Sequence, residues 1–424
     1  MRQAIYKERP IEPNPSRFDS GKRINDFISL SEAFSNVYRI ETSEGIVQLN
    51  AGMGMEAPVI DANLASFSEQ PLHTLILTQG HVDHVGGVAY FREKNPGLRV
   101  IAGANNPEHQ AYDGRLGPFR GNRSAFAFTS KFMKAFAHYQ EHGYTEYPAQ
   151  DTPVPDLLVD ERYSFELGGI AFEIIAVPGA ETNDSVIVWL PKQRICFTGN
   201  LFGCPFGHFP NLVTIRGDRY REALVVARAV EVVRELEPKM ILYGHHGPIV
   251  GSAIIQDELK ALHGAILHVH DETVKGMNSG KTVHQLMQEI RIPPELHVGE
   301  GYGKVSWSVR AIWESYAGWF HHESTTELYS VPANSVHTDI VELAGVDNLL
   351  TRAQEKYRGG HYEQALHLLD LIHNARSGTS ASYALARDIH QALLKQSENF
   401  WLSSWLRHQI DLLSEKAEAA NKEN

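Results

Sequence analysis

Gln79-Gly80-His81-Val82-Asp83-His84 brings an amide, two imidazoles and a carboxylate together directly after the buried run Leu75-Ile76-Leu77-Thr78. Divalent cations of borderline softness take imidazole nitrogen and carboxylate oxygen as ligands, and strand-end loops can gather such ligands from distant parts of a chain. Two further sets of donors stand at strand ends: Glu181, in Pro178-Gly179-Ala180-Glu181-Thr182, and His245 with His246, in Gly244-His245-His246-Gly247-Pro248. All three sets follow β-rich runs and contain glycine, so one sheet edge can collect them. Such a collection supports hydrolysis, because a bound divalent ion lowers the pKa of its water from about 15.7 toward about 7 and supplies hydroxide at neutral pH. Most of the 22 histidines are expected to be structural. Three metal-type residues at 81, 83 and 84 in one post-strand loop seldom arise for packing alone.

These donors need a sheet to stand on. Residues 37–52 read as two β-rich runs around Ser43-Glu44-Gly45, a hairpin with glycine at its tight position. Strands are expected at Thr74–Thr78, Phe172–Val177, Ser185–Leu190, Ile195–Thr198 and Met240–Tyr243, with turns such as Pro178-Gly179 and Pro191-Lys192 between them. One helix is expected around Ser130–His142, a connector over 148–155, and another helix capped by Asp218 and ending before Pro238. Beyond residue 254 the pattern turns helical: Leu259, Leu262, Ile266, Val269 and Thr273 recur at helical spacing, and Gly276 and Gly280 can end that helix. Ala353, Tyr357, Gly360, Tyr362, Ala365 and Leu368 resemble half of a tetratricopeptide-type repeat. The aromatic residues Trp307, Trp313, Tyr316, Trp319 and Phe320 read as core or dimer interface. The expected organisation is an α/β catalytic domain over 1–254 and an all-helical assembly domain over 255–424.

Composition excludes several classes. The 424 residues are 42% hydrophobic and 21% charged, as in a globular protein, and no apolar run is long enough to span a membrane. The net charge of −12 is scattered, which disfavours a nucleic-acid partner because phosphate binding needs a concentrated basic face. Cys196 and Cys204 cannot build a disulfide framework and are expected to be reduced. Met1-Arg2-Gln3-Ala4-Ile5-Tyr6-Lys7 lacks the apolar core of a secretory signal, so a cytoplasmic location is expected.

The chain resembles the metallo-β-lactamase superfamily and, within it, the alkylsulfatases. The superfamily's first motif is His-x-His-x-Asp-His followed by Gly-Gly, against Gln79 to His84 followed by Val85-Gly86-Gly87 here. The opening hairpin, the Pro-Gly turn, the strand ending Phe197-Thr198-Gly199-Asn200 and the closing Gly-His-His-Gly-Pro follow in the family's order. Alkylsulfatases carry Glu in the Pro-Gly-x-Glu turn, matched by Glu181, and a segment like Asn211-Leu212-Val213-Thr214-Ile215-Arg216-Gly217 whose Asn and Arg hold sulfate. Their helical dimerisation domain is similar to residues 257–376, including Gly303-Lys304-Val305-Ser306-Trp307-Ser308-Val309-Arg310, and their C-terminal sterol-carrier-like domain is not expected here. The resemblance implies an αββα sandwich, a homodimer through the helical domain, and one or two divalent ions, zinc first and manganese or iron as alternatives. Metal site 1 would take Gln79, His81 and Glu181, the bridging position falls on Asn200, and site 2 would take Asp83, His84 and His246, with the choice between His245 and His246 open. Asp83 would position the water or ligate, Asn211 and Arg216 would bind the substrate anion, and His208 would pass a proton to the leaving group.

Two positions depart from the family pattern. Gln79 stands where an imidazole is expected and Asn200 where a bridging carboxylate is expected, so the site has lost one ligand of each kind. Asp184 stands close enough in sequence to compensate. Three functions remain open: a sulfate-ester hydrolase, a hydrolase of the same fold acting on a lactone, carboxylic ester or amide, and a metal-poor, non-catalytic binding protein.

Overall fold

The computed structural model describes residues 4–422. Thirteen strands form two sheets among the described residues. The first holds β1 (Gly21–Asn25), β2 (Ile28–Ser31), β3 (Val37–Thr42), β4 (Gly45–Leu49), β5 (Leu72–Ile76), β6 (Arg99–Gly103) and β7 (Leu157–Val159), in that order. It is antiparallel from β1 to β4 and parallel from β4 to β7. The second runs β13-β12-β11-β10-β9-β8, built from β8 (Arg162–Leu167), β9 (Ile170–Ala176), β10 (Val186–Leu190), β11 (Ile195–Gly199), β12 (Met240–Tyr243) and β13 (Ile249–Val250). The expected hairpin is β3–β4, closed by Ser43-Glu44 with Gly45 at φ +123°.

Strand alternation sorts the apolar side chains into layers. Tyr38, Ile40, Val47, Ile76 and Ile101 of the first sheet meet Phe172, Ile174, Val188, Phe197 and Leu242 of the second in the central core. The outer face of the first sheet (Leu75, Leu77, Val100) packs on α1 (Ala57–Ala65) and α3 (Val88–Lys94), through Ile60, Leu64, Val88 and Phe91. Between these two helices, α2 (Val82–Val85) carries Asp83 and His84. The outer face of the second sheet (Ile187, Trp189, Ile241, Tyr243) packs on α5 (Ala223–Glu235) and α6 (Ser252–Asn278). The result is the expected αββα sandwich.

Two elements differ from the sequence expectation. The helix foreseen around 130–142 is the last part of α4 (Asn106–Glu141). Gly114, Gly117, Pro118 and Gly121 mask its first half, because such residues disfavour isolated helix. Asp218 caps no helix: α5 starts after Glu222, and Asp218 turns its carboxylate to the site described below. The chain divides into compact units Met1–Tyr316 and Ala317–Asn424. Ile255, Leu259, Leu262, Ile266 and Val269 of α6, with Val309 and Ile312 of α8 (Val305–Ala317), share one apolar core with Val226, Val230 and Val233 of α5, which binds that helical stretch to the sandwich. Between them lies α7 (Val283–Glu289).

The second unit holds α9 (His337–Ala344), α10 (Val346–Arg358), α11 (Tyr362–Asn374), α12 (Ser380–Lys395) and α13 (Phe400–Lys422). Ala353 and Ala365 are fully buried between the α10–α11 pair read as a repeat-like hairpin, and Leu369, Ile372, Ala386 and Ile389 extend that core. Of the aromatic cluster, Trp313 is buried, whereas Tyr316 and Trp319 are exposed. No helix among the described residues is long and apolar enough to cross a membrane.

Candidate active site

The loop after β5 is fixed before any ligand is considered. Asn50, in the left-handed region at φ +61°, accepts hydrogen bonds from the Thr78 N–H (2.9 Å) and Thr78 Oγ1 (3.0 Å). The Val186 N–H donates to the Thr78 carbonyl across the sandwich (2.9 Å). Glycine is required at 80, because a Cβ there would meet the His109 ring at 2.7 Å and Asp184 Oδ2 at 3.0 Å. The first turns of α4 thus press Asn106, His109 and Gln110 against the loop, and all three are buried.

His84 is fully buried, with Nδ1 at 3.1 Å from Thr78 Oγ1 and 3.2 Å from Ser35 Oγ. Its Nε2 faces the Asn200 amide nitrogen at 3.1 Å and Asp83 Oδ2 at 3.9 Å. Accepting from that amide assigns the ring proton to Nδ1. Burial pushes the His84 imidazolium down to about 3, so the ring is neutral at pH 7. Gly244 makes room for Asn200, since a Cβ at 244 would fall on Asn200 Oδ1. Burial raises the Asp83 carboxyl, offset by His245 and Arg216 nearby.

Of the histidine pair after β12, His245 joins this group. It is buried, its Nδ1 has no hydrogen-bond partner, and burial lowers it to about 3 with Asp83 and His84 among its electrostatic neighbours. His246, the expected ligand, does not join it. Its backbone is left-handed at φ +63°, and its charged neighbours are Arg9, Glu32 and Lys22. The signal was present in the sequence: His245 is two residues past the strand, before the chain turns at His246. His245→Ala is expected to lower turnover at least about a hundredfold, with His246→Ala within about threefold of wild type, by steady-state kinetics. The reverse order would restore His246.

The other half of the site differs. Gln79 Nε2 donates to His81 Nδ1 at 2.8 Å, both side chains being buried. His81 Nε2 then faces Asp218 Oδ2 at 3.7 Å, and its ring meets His109 edge-on at 5.3 Å between centroids. Burial holds His81 well below its usual value. The Glu181 carboxylate pairs with Arg221 at 2.9 Å, and Arg221 Nε also donates to the Glu181 carbonyl at 2.6 Å. Burial pushes Glu181 up to about 7, partly offset by Arg221. Asp184 does not compensate for the missing ligands: its oxygens accept from Thr182 Oγ1 (2.6 Å) and Asn106 Nδ2 (2.8 Å).

The loop carrying Asn211 and Arg216 is fastened from two sides. Leu212 is fully buried in the outer core, and Arg123 of α4 donates through Nε to the Arg216 carbonyl at 2.8 Å. Arg216 Nη2 lies 3.6 Å from Asp218 Oδ2, while Asp218 Oδ1 accepts from Arg120 at 2.7 Å. Burial would raise Asp218, but His81, Arg221 and Arg216 around it hold the carboxyl well below the usual range. Asn211 is buried, and its Oδ1 has no partner. His208 is clamped elsewhere, its Nδ1 accepting from the Gly301 N–H at 2.8 Å and its ring set against Tyr6. Burial lowers it to about 4, so it holds no extra proton to give at pH 7. Asp218, Arg221, Arg120, His109 and the half-buried Tyr302, an electrostatic neighbour of Cys204, Arg216, Glu181 and Asp83, were not foreseen. None belongs to a short motif, though Asp218 follows the Arg216-Gly217 pair directly.

The family model of the metallo-beta-lactamase superfamily matches residues 31–245, just over half of the 424 residues, and the chain belongs to that superfamily. Residues 282–414 match the alkyl sulfatase dimerisation family. The chain is 26% identical over 343 residues to a linear primary-alkylsulfatase of a Pseudomonas species, covering 78% of this chain and 64% of that protein. It is 23% identical over 362 residues to an alkyl/aryl-sulfatase of Saccharomyces cerevisiae, covering 81% of this chain and 55% of that one. Among solved structures, its fold is similar to the stereoselective inverting sec-alkylsulfatase Pisa1 from Pseudomonas, with a TM-score of 0.79 and 19% identity over 93% of this chain and 65% of that chain. The chain therefore spans less than two thirds of the length of each of these relatives.

Superfamily membership implies a divalent metal, and the two halves of the site answer that differently. Among the described residues, no three His, Cys, Asp or Glu side chains are gathered as a ready ion site. Asp83, His84 and His245 nevertheless suit one ion by donor chemistry: a carboxylate, two neutral imidazoles and an orphaned Nδ1. An ion there has to displace the Asn200 amide from His84. Gln79, His81 and Glu181 do not suit one: Gln79 is a neutral donor already bound to His81 Nδ1, and the one carboxylate is paired with Arg221, although His81 Nε2 is left without a hydrogen bond.

Proposed function

We propose that the chain is a metal-dependent hydrolase that cleaves a sulfate ester. One arrangement carries the reading: the half-buried Arg216 guanidinium is an electrostatic neighbour of the half-buried Asp83 carboxylate, with Asn211 on the same loop. A planar guanidinium matches a tetrahedral oxyanion through two parallel hydrogen bonds. The names of the relatives support sulfate over other oxyanions.

In this proposal Asp83, His84 and His245 hold one divalent ion, which supplies hydroxide at neutral pH. Zinc suits the two imidazoles, and manganese or iron suits the carboxylate and amide neighbours. Asp83 orients the attacking water, Arg216 anchors the sulfate and Asn211 contributes a side-chain hydrogen bond. His208 is left out of the chemistry because it is neutral at pH 7. The match to a dimerisation family supports a homodimer through the helices past residue 282.

The substitutions at 79 and 200 favour a second reading, in which the same fold cleaves a lactone, carboxylic ester or amide. Incubation with primary and secondary alkyl sulfates, a lactone and a carboxylic ester, read by ion chromatography for sulfate and by titration for acid, separates the two. Sulfate release above the blank is the expected result; acid from the lactone or ester alone would replace the sulfatase reading.

A further inference from the structure

In the Gln79, His81 and Glu181 half of the site the amide, His81 Nδ1 and the carboxylate already have protein partners, while His81 Nε2 makes no hydrogen bond. Gln79 Nε2 occupies the lone pair of His81 Nδ1 at 2.8 Å, which assigns the ring proton to Nε2, toward Asp218. Asp218 Oδ2 faces it at 3.7 Å, an ion-pair distance longer than a hydrogen bond. Its Oδ1 is taken by Arg120 (2.7 Å), the Arg219 N–H (2.8 Å) and the Tyr112 hydroxyl (3.3 Å), while Oδ2 is left buried between His81 Nε2 and Arg216. Glu181, the one carboxylate of the three, is neutralised by the buried Arg221, which grips both its side chain and its carbonyl.

Charge counting gives the same answer. Gln79 and a neutral His81 contribute nothing, and Glu181 with Arg221 sums to zero, with Arg216 close by. A divalent cation entering here would meet no uncompensated carboxylate within the trio, since Glu181 is spent on Arg221, and the Arg216 charge nearby is shared with Asp218. At Asp83, His84 and His245 the carboxylate has no guanidinium bonded to it among the contacts described above.

We propose that this chain has exchanged its first metal position for protein hydrogen bonds, so that it takes a single divalent ion, and that His81 is a positioning residue of the Asp218–Arg216 cluster rather than a ligand. This rests on the hydrolase reading above but is tested apart from it. Full-length protein, purified without a metal-affinity tag, is dialysed against zinc and then against buffer, and bound metal is read by elemental mass spectrometry. Wild type and His81→Ala are each expected to retain about one equivalent, and His84→Ala to lose it. About two equivalents in wild type, none at all, or loss of the ion in His81→Ala would overturn the proposal. If His81→Ala fails to fold by circular dichroism, a cobalt titration of wild type decides, since the visible absorption should saturate at about one equivalent and not at two. Sulfate release is scored separately: two equivalents with sulfate release sinks this inference alone, and one equivalent without it sinks only the sulfatase reading.

Discussion

Asp83→Ala is expected to abolish turnover, lowering kcat/KM by a factor of about a thousand or more, which is at least about 4 kcal/mol of transition-state stabilisation. The side chain holds the only carboxylate of the Asp83, His84 and His245 group, next to His84 at 3.9 Å and under the electrostatic influence of both His245 and Arg216. Its removal takes away the negative charge that would attract the ion and the group that would orient water. His84→Ala should behave alike, because the ring is fully buried and clamped by Thr78 and Ser35 in a single tautomer. Initial rates on the best substrate of the panel, with circular dichroism to confirm folding, give the answer. Turnover unchanged in either variant would remove this group from the mechanism.

The second large effect is at Arg216. Arg216→Ala is expected to lower kcat/KM by about a hundredfold to a thousandfold, the usual cost of losing a charge-assisted donor to a developing oxyanion. Arg216→Lys should recover only part of it, since an ammonium keeps the charge and loses the fork. The fold should persist in both, because Arg120 still holds Asp218 and Leu212 still anchors the loop. Inorganic sulfate as a competitive inhibitor adds a readout: its inhibition constant should weaken along with kcat/KM. Equal inhibition of wild type and Arg216→Ala would mean that sulfate is bound elsewhere.

The strands were legible in the sequence as apolar runs, as in β10, where Ile187 and Trp189 face outward while Val188 and Leu190 face the central core, and their stacking as a sandwich came from the family resemblance. The loop from Gln79 to His84 was legible because local spacing concentrates its donors. What was not legible came from tertiary pairing. Arg221 reaches Glu181 across 40 positions, and Arg120 reaches Asp218 across 98; neither pairing has a local pattern. The choice between His245 and His246 was open in the sequence because the backbone reverses at a left-handed residue, which sends consecutive histidines to different neighbours. The extent of α4 was hidden by glycine and proline that packing overrides, and α6 shares its apolar stripe with α5.

The central claim, hydrolysis of a sulfate ester that depends on an ion at Asp83, His84 and His245, is tested most directly by sulfate release before chelation, after it, and after metal is restored. The account predicts release that falls to the blank on chelation and returns with zinc or manganese. Release that persists in protein shown to be metal-free would contradict it.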